Sequence, residues 1–147
     1  MLLQIIIGSG LLLMSILMAA SSALVLEWVF QITSPWLLRE PHRPKLVVLL
    51  CGVSVWVLLV ITAGVWMWAF AFLALGALPD LEEAVYVSLV AYTTLGLAEE
   101  RLPHEWRLLA GMAGANGFLN FGLLTGLIVE ALRQVRMGQF EARRRKR

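Results

Sequence analysis

Long uncharged stretches dominate the pattern of hydrophobic and polar positions along this chain. Three of them are long: Leu2–Leu26, Leu46–Leu78, which covers 33 residues, and Leu108–Val129. A helix needs about 20 apolar residues to cross a hydrocarbon layer of roughly 30 Å. The pattern therefore predicts three membrane-spanning helices.

A fourth uncharged stretch, Val85–Leu97, lies between the second and the third and has only 13 residues. It is too short to span a bilayer, and its length suits a re-entrant segment. Irregular backbone at membrane depth is tolerated only where it is buried in protein or lines water. Because three helices of one chain cannot enclose a pore, we expect several copies to surround one aqueous path.

The composition narrows the class of protein. The 147 residues are 60% hydrophobic and 15% charged, against about 45–50% and about 25% in soluble domains. A chain this short has little interior in which to hide so much apolar surface. A soluble enzyme with a cleft is excluded, and we expect no catalytic residue and no organic cofactor. The single cysteine, Cys51, excludes an intrachain disulfide.

The charges orient the predicted spans. The segment Asp80–Arg107 holds six acidic residues against two arginines, whereas residues 28–45 and 136–147 are mainly basic. By the positive-inside rule, the basic segments are cytoplasmic and the amino terminus is outside. The basic tail over 136–147 is expected to bind anionic lipid rather than nucleic acid.

The amino-terminal half contains two further predictions. Residues 1–27 are predicted as a transmembrane helix, with a signal peptide cleaved near Ala19–Ala23 as the alternative. A signal peptide would have a positively charged start, which this chain lacks. Residues 28–45 are predicted as a cytoplasmic linker, because Pro35, Pro41 and Pro44 argue against one continuous helix.

The end of the short stretch reads Thr93-Thr94-Leu95-Gly96-Leu97-Ala98-Glu99. It resembles the filter of tetrameric potassium channels with a two-helix pore domain, in which a pore helix leads into Thr-Thr-Val-Gly-Tyr-Gly-Asp. The third span, with Gly117-Phe118-Leu119-Asn120-Phe121-Gly122-Leu123-Leu124-Thr125-Gly126, is similar to the inner helix of bacterial members. Gly117 falls 21 residues after Gly96, close to the filter-to-hinge separation of that family.

The resemblance implies a fold and a function. The fold would be an all-α membrane protein with three transmembrane helices, a re-entrant pore helix and a filter loop, assembled as a homotetramer around a central pore in the bacterial inner membrane. The pore domain would cover 46–135, with the outer helix over 46–78, the pore helix and filter over 82–99, and the inner helix over 106–135. The function implied is passive cation conduction, with K⁺ or Na⁺ as the permeant ion.

The implied filter residues are Thr93, Thr94, Leu95, Gly96, Leu97 and Ala98, with a monovalent cation held at Thr94, Leu95 and Gly96. Two positions depart from the family. Ala98 replaces a glycine whose left-handed conformation costs an L-residue about 1–2 kcal/mol, and Leu97 replaces a tyrosine. We therefore expect relaxed or altered selectivity. The alternative is a non-conducting scaffold or accessory subunit that kept the channel fold; a small transporter or membrane enzyme would need polar residues at the midplane of several helices.

Glu99 and Glu100 follow the filter, so four copies would place a ring of carboxylates at the outer mouth. Such a ring attracts cations and is a candidate site for a divalent ion. The alternative is a solvated acidic loop.

The third span carries the remaining candidates. Phe121, Thr125 and Val129 share one helix face, and by the family's pattern this face lines the pore with Phe118 beside it; packing or lipid contact is the alternative. The glycines of this span are predicted as close-packing positions between membrane helices: Gly111, Gly114, Gly117, Gly122 and Gly126. At Gly117 the resemblance also implies a hinge.

Three polar side chains complete the third span. We predict that Asn116 and Asn120 hydrogen-bond between helices. Glu130 is predicted to pair with Arg133 or with a neighbouring chain. It is a candidate inner gate or cation collar, with an ordinary helix-end charge as the alternative.

Overall fold

The computed structural model describes residues 1–37, 42–93 and 102–145, with the side chains of 34–37, 42–43 and 138–145 left out. Every regular element in these ranges is a helix: α1 (Leu2–Leu37), α2 (His42–Ala74), α3 (Leu81–Tyr92), a 3-10 turn (His104–Trp106) and α4 (Arg107–Arg145). Three segments are long and apolar enough to cross a membrane: Leu2–Thr33, Pro44–Ala74 and His104–Met137. This confirms the prediction of an all-helical, multi-pass membrane protein.

Between the first two spans, the helices are longer than the sequence predicted. α1 continues past residue 27 to Leu37, and α2 begins at His42, so most of the predicted linker is helical. Pro44 lies in the first turn of α2, where a missing N–H removes no intrahelical bond. Pro35 is two residues from the end of α1, so its effect is confined to the last turn.

The connection from α2 to α3 ends one helix and starts the next by local hydrogen bonds. Ala77 N–H donates to Phe72 C=O and Gly76 N–H to Leu73 C=O, both at 3.0 Å. These two bonds, with Gly76 at a φ of 64°, form a Schellman motif that satisfies the last carbonyls of α2. Asp80 then precedes α3.

α3 is a short helix between the two long ones. Its first turn holds Glu82 and Glu83, whose negative charges are favourable at a helix amino terminus. Its 12 residues extend only about 18 Å, which is too short to cross a bilayer.

α1 and α4 run parallel and, among the described residues, are in extensive contact with each other. The Gln4 side chain donates to the Glu105 backbone carbonyl near the start of both, and Ser15 meets Asn120 further along. The main core contains buried side chains of α2, α3 and α4, including Trp68, and a second cluster of Leu26, Val53 and Ala131 lies at the opposite end.

Candidate functional site at the carboxyl end of α3

α3 ends at Tyr92, and the residue that caps it is Thr93, the first residue of the predicted filter. The Thr93 backbone N–H donates to Leu89 C=O at 3.0 Å. Its hydroxyl donates to Leu89 C=O at 2.9 Å and lies 3.2 Å from Val90 C=O. The side chain therefore bonds back to α3 and caps it.

The other predicted filter and outer-mouth residues lie outside the described residues: Thr94, Leu95, Gly96, Leu97, Ala98, Glu99 and Glu100. The predictions of a monovalent cation at the filter and of a divalent ion at the mouth stay predictions.

The carboxyl end of α3 packs directly on the backbone of α4. A Cβ atom at Gly117 would overlap the Tyr92 carbonyl oxygen and lie 2.6 Å from its carbonyl carbon, and one at Gly114 would lie 3.3 Å from the Ala91 carbonyl oxygen. Only glycine permits the contact at Gly117, since the opposing atoms are backbone. The close-packing prediction is confirmed for Gly117 and Gly114, whereas Gly111, Gly122 and Gly126 have open space beside them in the described part of the chain. α4 is continuous through Gly117, and a hinge there stays a prediction.

The same end of α3 also meets α2. A Cβ atom at Gly64 would lie 2.8 Å from the Tyr92 hydroxyl oxygen. Gly64 is ten residues before Ala74, the last residue of α2, and Gly117 is ten residues after Arg107, the first of α4. At 1.5 Å per residue, each position is about 15 Å from the nearer end of its helix. Tyr92 thus lies between α2 and α4, well inside the length of both candidate spans.

A buried polar cluster surrounds Tyr92 and joins three helices. Ser15 from α1, Asn116 and Asn120 from α4, and Tyr92 are all at most 2% exposed. The Asn120 side-chain amide donates to the Ser15 hydroxyl at 2.7 Å and lies 3.2 Å from Asn116 Oδ1. The prediction of an interhelical bond is confirmed for Asn120, whereas Asn116 bonds within its own helix. Ser15 was missed, because a serine in an apolar run does not reveal its partner.

Several polar atoms of this region have no hydrogen-bond partner of normal geometry among the described residues: Tyr92 Oη, Asn116 Nδ2, Ser88 Oγ and Trp68 Nε1. Unpaired buried polar groups are costly, so the end of α3 carries hydrogen-bonding capacity that the described part of the chain leaves unused.

The predicted pore-lining side chains share an uncovered surface of α4. Phe118 is 73% exposed, Phe121 44% and Val129 60%, and Thr125 is exposed as well. Gly122 and Gly126, four residues apart, also have open space beside them. Within the described chain nothing packs on this surface, so in a membrane it faces lipid, water or another copy.

Glu130, the predicted inner gate, is paired within its own helix. Arg133 Nε donates to Glu130 Oε2 at 2.9 Å and Arg133 Nη2 to Oε1 at 3.1 Å, while Gln134 Nε2 donates to Oε1 at 3.2 Å. Both charged side chains are largely exposed. The predicted pair with Arg133 is confirmed, and a gating role stays a prediction.

Neither a metal-binding arrangement of side chains nor similarity to a known protein identifies the function of this site. The described ranges contain no group of three or more histidine, cysteine, aspartate or glutamate side chains arranged to hold a metal ion. No protein-family model, curated protein or solved structure matches this chain. The functional argument therefore depends on the geometry around Tyr92 and Gly117.

Proposed function

We propose that this chain is a subunit of a passive cation channel, in which four copies surround a pore and the residues after Thr93 line its narrowest part. The observation that carries the proposal is the position of Tyr92, between Gly64 and Gly117 and about 15 Å inside α2 and α4. In this proposal α3 is the first part of a re-entrant segment, because its 12 residues are too few to cross a bilayer. Backbone at such depth requires protein or water around it.

The direction of α3 also favours cations. The carboxyl end of a helix carries about half a negative elementary charge, from carbonyls without an intrahelical partner. In this chain that end lies next to Thr93, and the acidic residues Glu82 and Glu83 are at the other end. Four such helix ends around one axis would stabilise a partly dehydrated cation.

The uncovered surface of α4 supplies the remaining wall in this proposal. Phe118, Phe121, Thr125 and Val129 would face the axis below the filter, and a neighbouring copy would cover other parts of α4. Ion selection would come from replacing hydration water by filter oxygens. Since Leu97 and Ala98 depart from the potassium-channel pattern, the expected selectivity is relaxed, for K⁺ or Na⁺.

The proposed location is the bacterial inner membrane, with the amino terminus outside and the basic tail in the cytoplasm beside anionic lipid. The parallel course of α1 and α4 agrees with this arrangement, because three crossings put the two termini on opposite sides.

Ion flux into liposomes tests the proposal directly. Purified protein is reconstituted and flux is followed in potassium, sodium and calcium gradients, beside a variant with Leu97→Tyr and Ala98→Gly. We expect cation flux from the native protein and a shift of selectivity towards potassium in the variant. Absence of flux in both, from folded tetrameric protein, would favour a non-conducting scaffold.

Cysteine accessibility tests the pore wall separately. Cys51 is the only cysteine and is exposed, so a Cys51→Ser background accepts single new thiols. A cationic thiol reagent should block flux through Thr125→Cys and leave flux through Leu123→Cys unchanged. Leu123 is a matched control because it is also exposed on α4 but lies about 160° from Thr125 around the helix. Equal block of both would contradict the assigned wall.

A further inference from the structure

An apolar crevice of about 250 Å³ opens between α1 and α2, at the end of the bundle away from α3. Its walls include Leu26, Val29 and Phe30 of α1 and Leu49, Gly52 and Val53 of α2. Its inner end is closed by Trp56, whose indole N–H donates to the Ser22 hydroxyl at 2.8 Å. For scale, a dry cavity of about 150 Å³ with aliphatic and aromatic walls holds benzene.

The crevice has the length of one membrane leaflet. On α2 its wall follows one helical face through Leu49, Gly52, Val53 and Trp56, and Lys45 lies one turn before Leu49 on the same face. From Lys45 to Trp56 the rise is about 16 Å. That distance is about half of the roughly 30 Å hydrocarbon core. The separation of Lys45 and Trp56 along α2 is therefore about the thickness of one leaflet of a bilayer.

The chemistry of the walls changes along this length. Inside, the walls are apolar, and the hydroxyl of Thr33 is already bonded to Val29 C=O at 2.7 Å. At the other end, Lys45 lies in the first turn of α2, one turn beyond Leu49. An apolar slot that ends near a cationic residue is complementary to a phospholipid, with the acyl chain inside and the phosphate near the lysine. Basic pockets between membrane helices recognise anionic headgroups in this manner.

We propose that the crevice between α1 and α2 binds one acyl chain of an anionic phospholipid, with the headgroup at Lys45. The site is separate from the junction of α3 with α4 and does not depend on ion conduction. It gives α1, which has no counterpart in a two-helix pore domain, a role in lipid binding.

Native mass spectrometry of detergent-solubilised protein supplied with phosphatidylglycerol or phosphatidylcholine tests the site. We expect about one phosphatidylglycerol retained per chain, at about fivefold preference over phosphatidylcholine, the effect of about one cationic contact. Gly52→Leu has open space for its side chain and fills the crevice. It should lower retention by about tenfold, the loss of about two buried methylenes. Gly10→Leu, at another glycine with open space beside it, is the matched control and should retain lipid normally.

Lys45→Gln tests headgroup binding separately from binding of the acyl chain. It should abolish the preference for phosphatidylglycerol while leaving phosphatidylcholine retention unchanged. Val29→Trp fills the crevice from α1 and replaces Gly52→Leu if that variant does not fold. The proposal would be overturned if the filled variants retained lipid normally, or if Gly10→Leu lost lipid to the same extent. It would also be overturned if Gly52→Leu dissociated an oligomer without losing lipid, because the crevice would then be a contact with a second copy of the chain.

Discussion

The two ends of the helix bundle differ in how completely they are packed. At the end that contains α3, Trp68, Phe72 and Leu109 have no exposed surface, and Tyr92 is in contact with both long helices. At the other end, the buried cluster has three members, Leu26, Val53 and Ala131. Crevices of about 250 Å³ and about 130 Å³ open there, between α1 and α2 and between α1 and α4.

The difference follows from the number of helices at each level. α3 fills the space between α2 and α4 over about the third of α2 that is nearest to it, and Gly64 and Gly117 let it approach closely. Over the rest of the bundle, the three long helices have no fourth helix between them. Substitutions at the first end should therefore change folding, and those at the second end should mainly change what binds there.

The largest expected effect on the free energy of unfolding is that of Gly117→Ala, at the packed end of the bundle. The new methyl group would overlap the Tyr92 carbonyl, so we expect a loss of about 3 kcal/mol or more, at or above the usual cost of overpacking. This exceeds the gain of about 1 kcal/mol from replacing a helical glycine by alanine. Thermal unfolding in detergent measures it. Gly111→Ala, on the same helix with open space, is the control and should not destabilise; equal midpoints for the two variants would refute the tight contact.

The next effect is that of Asn120→Ala, which removes the bond between α4 and α1. Since the variant leaves Ser15 buried without its donor, we expect a loss of about 1–3 kcal/mol. A double-mutant cycle with Ser15→Ala measures the pair itself and should give about 0.6–1.7 kcal/mol. A coupling energy of zero would mean that the bond does not join the helices in the membrane.

At the open end, Trp56→Phe should have a smaller effect. It removes the indole donor to Ser22, and we expect a loss of about 1 kcal/mol. Trp28→Phe, at a side chain 63% exposed, is the control, with a change within about 0.5 kcal/mol. A loss for Trp56→Phe as large as for Asn120→Ala would break the comparison between the two ends.

The smallest effect is that of Glu130→Gln. Its pair with Arg133 is exposed and lies within one helix, and such pairs contribute little to stability. We expect an unchanged unfolding midpoint at both low and high salt. A lower midpoint, or a change in liposome flux at constant midpoint, would show instead that Glu130 acts on a second copy or on the ion path.

The local features of the fold were predictable from sequence, but the residues that contact each other across long sequence separations were not. The start of α3 at Leu81 agrees with the predicted residue 82 within one position, because the acidic turn and the following apolar residues are local signals. The interhelical bond of Asn120 was expected, but its partner Ser15 is 105 positions away. The helices extend into the predicted linker from both sides, to Leu37 and from His42, and Pro44 is compatible with this because it lies in the first turn of α2.

The sequence by itself determined that this chain has three segments long and apolar enough to cross a membrane and a fourth that is too short to do so. Hydropathy and length are sufficient for that conclusion, since the cost of apolar surface in water and of unpaired backbone in lipid depends on each segment alone. Only the tertiary structure decided that Gly117 receives the end of α3, that Ser15 pairs with Asn120, and that α1 and α2 enclose a crevice. These features depend on which helix surfaces pack together across long sequence separations, and neither the composition nor the periodicity of one segment identifies the surface that it packs against.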